Sequence, residues 1–196
     1  MIPEEKVIFF KDLYRDFYNS LPKDYNQQEI CPFFMQIGKD YGLKTPKCLF
    51  VGKATNGWVG ETNNVEELFD KKNQGRIINR DDEIKWVEKH SGSKDKYNTN
   101  KSAFWRVIKS VSVDLFGVKE WYKYISWTNI YKFAFGIENP DGYLQRLQRN
   151  FSCKMLDEEI KYLEPDIIIF LTSNWEWFYN KHLNIEKEEG KFYDWD

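Results

Sequence analysis

Residues 48–58 read CLFVGKATNGW: four apolar residues set between Pro46 and Gly52, then a stretch with nothing to bury. A continuous apolar run this short, closed by proline on one side and glycine on the other, has the length and flanks of a strand buried on both faces. From Gly52 to Asn64 the chain carries Gly52, Gly57 and Gly60 among Asn and Thr residues, a composition that favours turns over regular structure. A buried strand opening into such a loop is the repeating unit of a parallel α/β sheet, where ligands bind outside the carboxyl ends of the strands. The segment Gly52-Lys53-Ala54-Thr55-Asn56-Gly57-Trp58 is therefore the first place to look for a site.

The rest of the chain supplies the matching units. Upstream, Phe10, Leu13, Phe17 and Leu21 recur at helical spacing after Pro3, which predicts a packing helix. A turn-rich stretch from Pro22 to Gln28 and a short linker lead into the strand. Downstream, Val65–Phe69 and Glu83–Glu88 read as short helices, and Phe104, Ile108, Val111 and Leu115 mark a helical face that ends at Gly117, a residue suited to the left-handed cap. Residues 124–131 are β-branched and aromatic and read as a second strand. Asn139-Pro140 reads as a cap followed by proline in the first helical turn. Leu144, Leu147, Phe151, Ile160 and Leu163 continue that helix up to Pro165. Asp166–Leu171 is the clearest buried strand of all, and Trp175, Phe178, Tyr179 and His182 suggest a last helix.

Strand, helix, strand, helix, strand, helix predicts an α/β fold with a central, mostly parallel sheet between helices. With 196 residues, one domain is expected. The strand-end loops at 52–58, 129–140 and 172–175 should meet at one end of the sheet, which brings Asn129, Lys132 and Ser173 into the candidate set.

Composition narrows the function classes. Aromatic residues make up 18% of the chain, roughly twice an average share, enough for an aromatic core with rings to spare for stacking on bases. The net charge of −2 provides no global basic field, so nucleic acid would need a local stripe. One exists between Asp95 and Leu156, where ten cations face five acids. Cys31, Cys48 and Cys153 are scattered, without the paired spacing of a disulfide framework or zinc knuckle. No structural metal or other cofactor is expected. The N-terminus has no signal-peptide pattern, and no apolar run reaches membrane-spanning length, so the expected compartment is the cytoplasm. No Walker lysine, Rossmann glycine triplet or serine elbow appears.

Taken in order, CLFVGKATNGW, SAFWRVIKS, WTNIYKFAFGIENP and CKMLDEEIKYLEPDIIIFLTS resemble the uracil-DNA glycosylase superfamily, in particular its bacterial and archaeal branch that often carries an iron–sulfur cluster. The resemblance spans residues 47–175. It implies a three-layer α/β/α fold and hydrolysis of the N-glycosidic bond of a flipped, deaminated base in DNA. Residue by residue, it puts Gly52, Ala54 and Asn56 in the loop that packs on the base and holds the attacking water, and Asn129 at the position that reads the base edge. An amide offers one acceptor and two donors, the complement of a pyrimidine carbonyl and ring N–H. Trp58 or Phe69 would stack on the base, and Lys53 or Lys132 would hold a flanking phosphate, with Thr55, Gly57 and Ser173 lining the same pocket.

Several positions depart from the family. Ala54 stands where many members have Asp or Asn, although some branches have Ala, and Lys53 and Thr55 replace the usual Gln or Glu and Pro. Cys153 coincides with one cluster ligand, but a four-iron cluster needs four thiolates, so none is expected. The family's His-Pro-Ser-type loop after a fourth strand has no counterpart before Asp196, which suggests truncation or loss of that part. His182 reads as a packing residue. Two further readings follow: a module that binds a nucleobase without turnover, favoured by Ala54 and the missing loop, and a small-molecule α/β enzyme, for which no nucleophile–base pair stands out.

Overall fold

A computed structural model describes residues 2–23, 30–54, 65–69, 83–94, 97–135 and 139–172. The loop residues Thr55, Asn56, Gly57 and Trp58, the strand-end Ser173 and the expected last helix with His182 lie outside the described residues.

The chain begins with helix α1 (Glu4–Ser20), entered at Pro3. Its buried face is Val7, Phe10, Tyr14 and Phe17; Tyr14 donates a hydrogen bond from its phenol to the Phe33 carbonyl inside the core, and Leu13 packs against that core partly buried. The segment expected to be a linker holds two short strands, β1 (Ile30–Pro32) and β2 (Gln36–Ile37). Strand β3 (Cys48–Gly52) follows, then α2 (Val65–Leu68), α3 (Trp86–Lys89) and α4 (Ala103–Phe116). Helix α4 is bracketed by a Ser102 side-chain cap and by Gly117 at φ 63°, a conformation that only glycine adopts cheaply. Its buried stripe is Trp105, Ile108, Ser112 and Phe116. Leu115, expected inside, is 40% exposed, since the stripe begins one residue later than the spacing suggested.

The predicted second strand, 124–131, is found at 125–129, and the loop expected after it holds a further short strand. Strand β4 (Ile125–Asn129) stays in the main sheet, and after a turn at 130–132 the chain forms β5 (Phe133–Phe135), which pairs antiparallel with β1. Helix α5 (Gly142–Leu163) is capped by the Asp141 carboxylate, not by Asn139. It ends at Glu164 and leads into β6 (Ile167–Leu171).

The main sheet has the order β2-β4-β3-β6. β3 runs parallel to β4 on one side and to β6 on the other, while β2 is antiparallel to β4. The three long strands are thus adjacent and parallel, as expected. β6, read from its sequence as the clearest buried strand, is only partly buried and among the described residues stands at the edge of this order, with Ile167 37% exposed. An apolar composition reports what a strand can bury, not which position it takes in the sheet. Alternate residues of β3 enter two cores: Leu49 and Val51 join α1 and α5, and Cys48 and Phe50 join α4. The result is a mixed α/β architecture. Among the described residues no helix is long and apolar enough to cross a membrane.

Candidate functional site

The parallel register places Gly52 opposite Asn129 on one side and opposite Leu171 on the other, so the carboxyl ends of three strands are level. Two backbone bonds lace the chain after β3 to the turn after β4: Ile130 N donates to the Gly52 carbonyl at 2.8 Å, and Tyr131 N to the Lys53 carbonyl at 2.9 Å. Gly52, Lys53 and Asn129 are therefore brought together, and Ala54 follows directly.

Side chains of β4 alternate between the two cores. Ile125 and Trp127 pack with α4, and Asn129 emerges on that side. Its carboxamide lies across Gly52: a Cβ built there would overlap Asn129 Oδ1 and stand 3.0 Å from Phe104 Cε2. Glycine at 52 is thus a requirement of close approach, in addition to closing the strand. Trp127 Nε1 donates to Asn129 Oδ1 at 3.3 Å, which orients the amide with its nitrogen on the other side. That Nδ2 is buried and has no acceptor among the described residues. On this face Trp127 packs edge to face with Trp105 at 4.8 Å and lies 6.0 Å from Phe104. Thr172 Oγ1, one residue beyond the end of β6, is likewise buried without a partner among the described residues. Native proteins rarely leave such groups unpaired, because each costs about 1–3 kcal/mol. Both atoms lie at the carboxyl end of the sheet, at the same level as Gly52.

Beneath the same turn, on the opposite face, lies a charged cluster. Lys132 and Glu159 are both wholly buried, with Nζ 2.6 Å from Oε2. Lys132 Nζ also donates to Thr128 Oγ1 at 2.6 Å, and Thr128 donates to Glu159 Oε2 at 2.7 Å. Burial lowers the Lys132 ammonium from its usual value and raises the Glu159 carboxyl, each against the pull of the other. Burial, and then the Glu159 charge, hold the Tyr14 phenol well above its usual value. Gln148 completes the network. Its Oε1 accepts from Lys132 N at 2.9 Å and Phe133 N at 3.0 Å, while its Nε2 donates to the Phe133 carbonyl at 2.8 Å.

Two expectations need correcting. Lys132 cannot hold a phosphate, because its ammonium is out of reach of solvent and committed to Glu159 and Thr128. Phe69 does not stack on a ligand: it is 5% exposed and packs edge to face against Tyr14 and Phe34 in the α1 core. The basic stripe is also partly neutralised, with Lys109 paired to Glu88 and Lys123 to Glu120. The residues that sequence reasoning missed are Trp127, Phe104, Gln148 and Glu159. Phe104 and Trp127 looked like ordinary apolar positions. Gln148 and Glu159 looked like the wet face of a helix, and only the eleven-residue spacing, three helical turns, hints that they share a side.

Cys31, Cys48 and Cys153 are buried and not joined in disulfides, and among the described residues no group of His, Cys, Asp and Glu could hold a metal ion. Compared with known proteins, the chain matches no family model, no curated protein and no solved structure.

Proposed function

We propose that this chain is a nucleobase-recognition domain with the three-layer α/β/α plan of the uracil-DNA glycosylases, and that it takes up a flipped, deaminated base of DNA between the Gly52–Trp58 loop and Asn129. The observation that carries this reading is the buried Asn129 Nδ2, without an acceptor among the described residues, beside a glycine whose hydrogen side the amide covers. With Oδ1 engaged by Trp127, the amide offers a donor, and a base carbonyl is its natural complement. The aromatic wall of Phe104 and Trp127 supplies the apolar side of such a pocket.

Recognition is better supported than excision. Hydrolysis of the glycosidic bond needs a group that positions water and donors that stabilise the leaving base. Ala54, at the family's water-positioning place, offers only a methyl and packs against the α1–α5 core. That contact favours binding without turnover, and excision would rest on Asn56.

Fluorescence anisotropy with a single-stranded deoxyuridine-containing oligonucleotide tests the reading. Asn129→Ala should keep the far-UV circular dichroism of the wild type and lose about 1–3 kcal/mol of binding free energy. Equal affinity of the two proteins for that oligonucleotide would remove the nucleobase assignment. Free uracil released by the wild type, measured in the same samples, would move the reading from recognition to excision.

A further inference from the structure

Thr128 and Asn129 are consecutive residues of β4 whose side chains leave the sheet on opposite faces. Asn129 lies against Gly52 and Phe104 on the α4 side. Thr128 meets Glu159 of α5 on the other. Lys132, just past the turn, returns to the same two groups. The turn that follows Asn129 is therefore gripped from below at both of its ends by one carboxylate, Glu159, set in the 22-residue helix α5.

The cluster is a poor way to stabilise a fold. Both ions are completely removed from water, and Glu159 Oε1 is buried with no partner among the described residues. Burial shifts both groups towards their neutral forms, against their mutual attraction. Where a buried pair leaves lone pairs unsatisfied, a well-packed apolar pair of similar volume is often as stable or more so. Hydrogen bonds already fix the turn's backbone at Ile130, Tyr131, Lys132 and Phe133. What the charges add is a directional tie from α5 to the side chains flanking Asn129.

We infer that Lys132 and Glu159 are positioning residues for the Asn129 amide, a buried latch that sets where Nδ2 points instead of adding to the stability of the domain. The inference rests on the reading of Asn129 as the base-reading group. The latch acts through the β4 backbone: Thr128 is held on the α5 side, and the next residue is thereby aimed on the α4 side. Neither charged group touches the ligand.

The test is the double variant Lys132→Met with Glu159→Leu, which removes both charges together and keeps apolar volume in the site. Its thermal midpoint should equal or exceed that of the wild type, while its affinity for the deoxyuridine-containing oligonucleotide falls about tenfold, the effect of one misplaced hydrogen bond. A ligand-free readout accompanies it: the Asn129 side-chain amide resonances and the hydrogen exchange of the Trp127 indole N–H, both of which should change in the double variant. A midpoint lower by more than about 5 °C would make the pair an ordinary stabiliser and overturn the inference. So would wild-type affinity together with unchanged Asn129 and Trp127 signals. If the wild type itself does not bind the oligonucleotide, the nucleobase reading fails, and the amide and indole signals alone decide whether the latch exists.

Discussion

Helices α4 and α5 lie on opposite faces of the main sheet, yet they bury different chemistry. α4 hides an almost wholly apolar stripe, Trp105, Ile108, Ser112 and Phe116. α5 hides Leu144, Cys153, Met155, Leu156 and Leu163 together with Gln148, Ser152 and Glu159. The first is held by area removed from water, a non-directional force that tolerates small shifts. The second is held partly by hydrogen bonds and charge, which fix direction as well as contact. The turn after β4 sits over the second helix, and the amide it carries faces the first. One side of the domain packs, and the other aims.

The hardest test of this contrast is to remove one charge and leave the other. Lys132→Met strands Glu159 in the interior and should destabilise the chain by about 3–5 kcal/mol, unlike the double variant, which should be at least as stable as the wild type. The loss should depend on pH with a definite sign. Burial already raises the Glu159 carboxyl above its usual value, and without Lys132 it rises further. A carboxyl whose pKa is raised on folding binds more protons in the folded than in the unfolded chain, so its protonation favours the fold. Stability of the variant is then greatest at acid pH and is lost as pH climbs from the ordinary carboxylate range towards the raised folded value. Thermal midpoints of the variant measured from pH 5 to pH 8 should fall relative to the wild type. A flat difference would mean that Glu159 is not the group left stranded.

On the packing side, Ile108→Ala should cost about 3 kcal/mol through lost burial and a cavity, with no such pH dependence. Oligonucleotide binding by the folded fraction should match the wild type, since Ile108 is fully buried in the α4 core and has no part in aiming the amide. Binding lost to the same extent as in Asn129→Ala would erase the distinction between the two faces.

The same contrast separates what the sequence disclosed from what it hid. β3, β4, β6 and the helices between them were legible because their signals are apolar runs, glycine stops and caps, all of which act locally. Even there, edge position was invisible: 166–171 reads as a buried strand and is only partly buried at the edge of the described sheet order, since that order depends on partners far along the chain. Gly52 and Asn129 were found as a strand end and a strand-end amide, and the register that puts them together followed from reading the strands as adjacent and parallel. The aiming half was hidden. A glutamate or glutamine in a helix normally reads as solvent-facing, and nothing within a few residues of Glu159 announces that Lys132 and Thr128 will meet it. Lys132 was misassigned for the same reason: it falls in the stretch read as a strand-end loop, while its partner is 27 residues away. Strands β1 and β5, short and paired across a hundred residues of chain, were missed because neither is long enough to show alternation.

The smallest expected effects lie at the N-termini of the two helices, where the comparison can be made with one chemistry in two settings. Each helix begins with a side chain that accepts a hydrogen bond from the backbone three residues on: Ser102 Oγ from Trp105 N at 3.4 Å, and Asp141 Oδ1 from Leu144 N at 2.7 Å. The serine bond is long and uncharged. The aspartate bond is short and lies at the positive end of a helix dipole. Replacing a cap by alanine typically costs about 0.5–2 kcal/mol, so Ser102→Ala should fall near the bottom of that range and Asp141→Ala near the top. Urea titration should show both as lower midpoints with unchanged slopes, because neither change alters the surface exposed on unfolding. Added salt should shrink the Asp141 effect and leave the Ser102 effect alone, since only the former has a charge to screen. Asp141 also starts the helix that carries Gln148 and Glu159, so fraying there begins within two turns of the residue that grips Lys132 and Phe133. If the two caps instead prove equal and equally insensitive to salt, then α5 is anchored no more firmly than α4, and the rigidity that the aiming side needs would have to come from its buried polar residues alone.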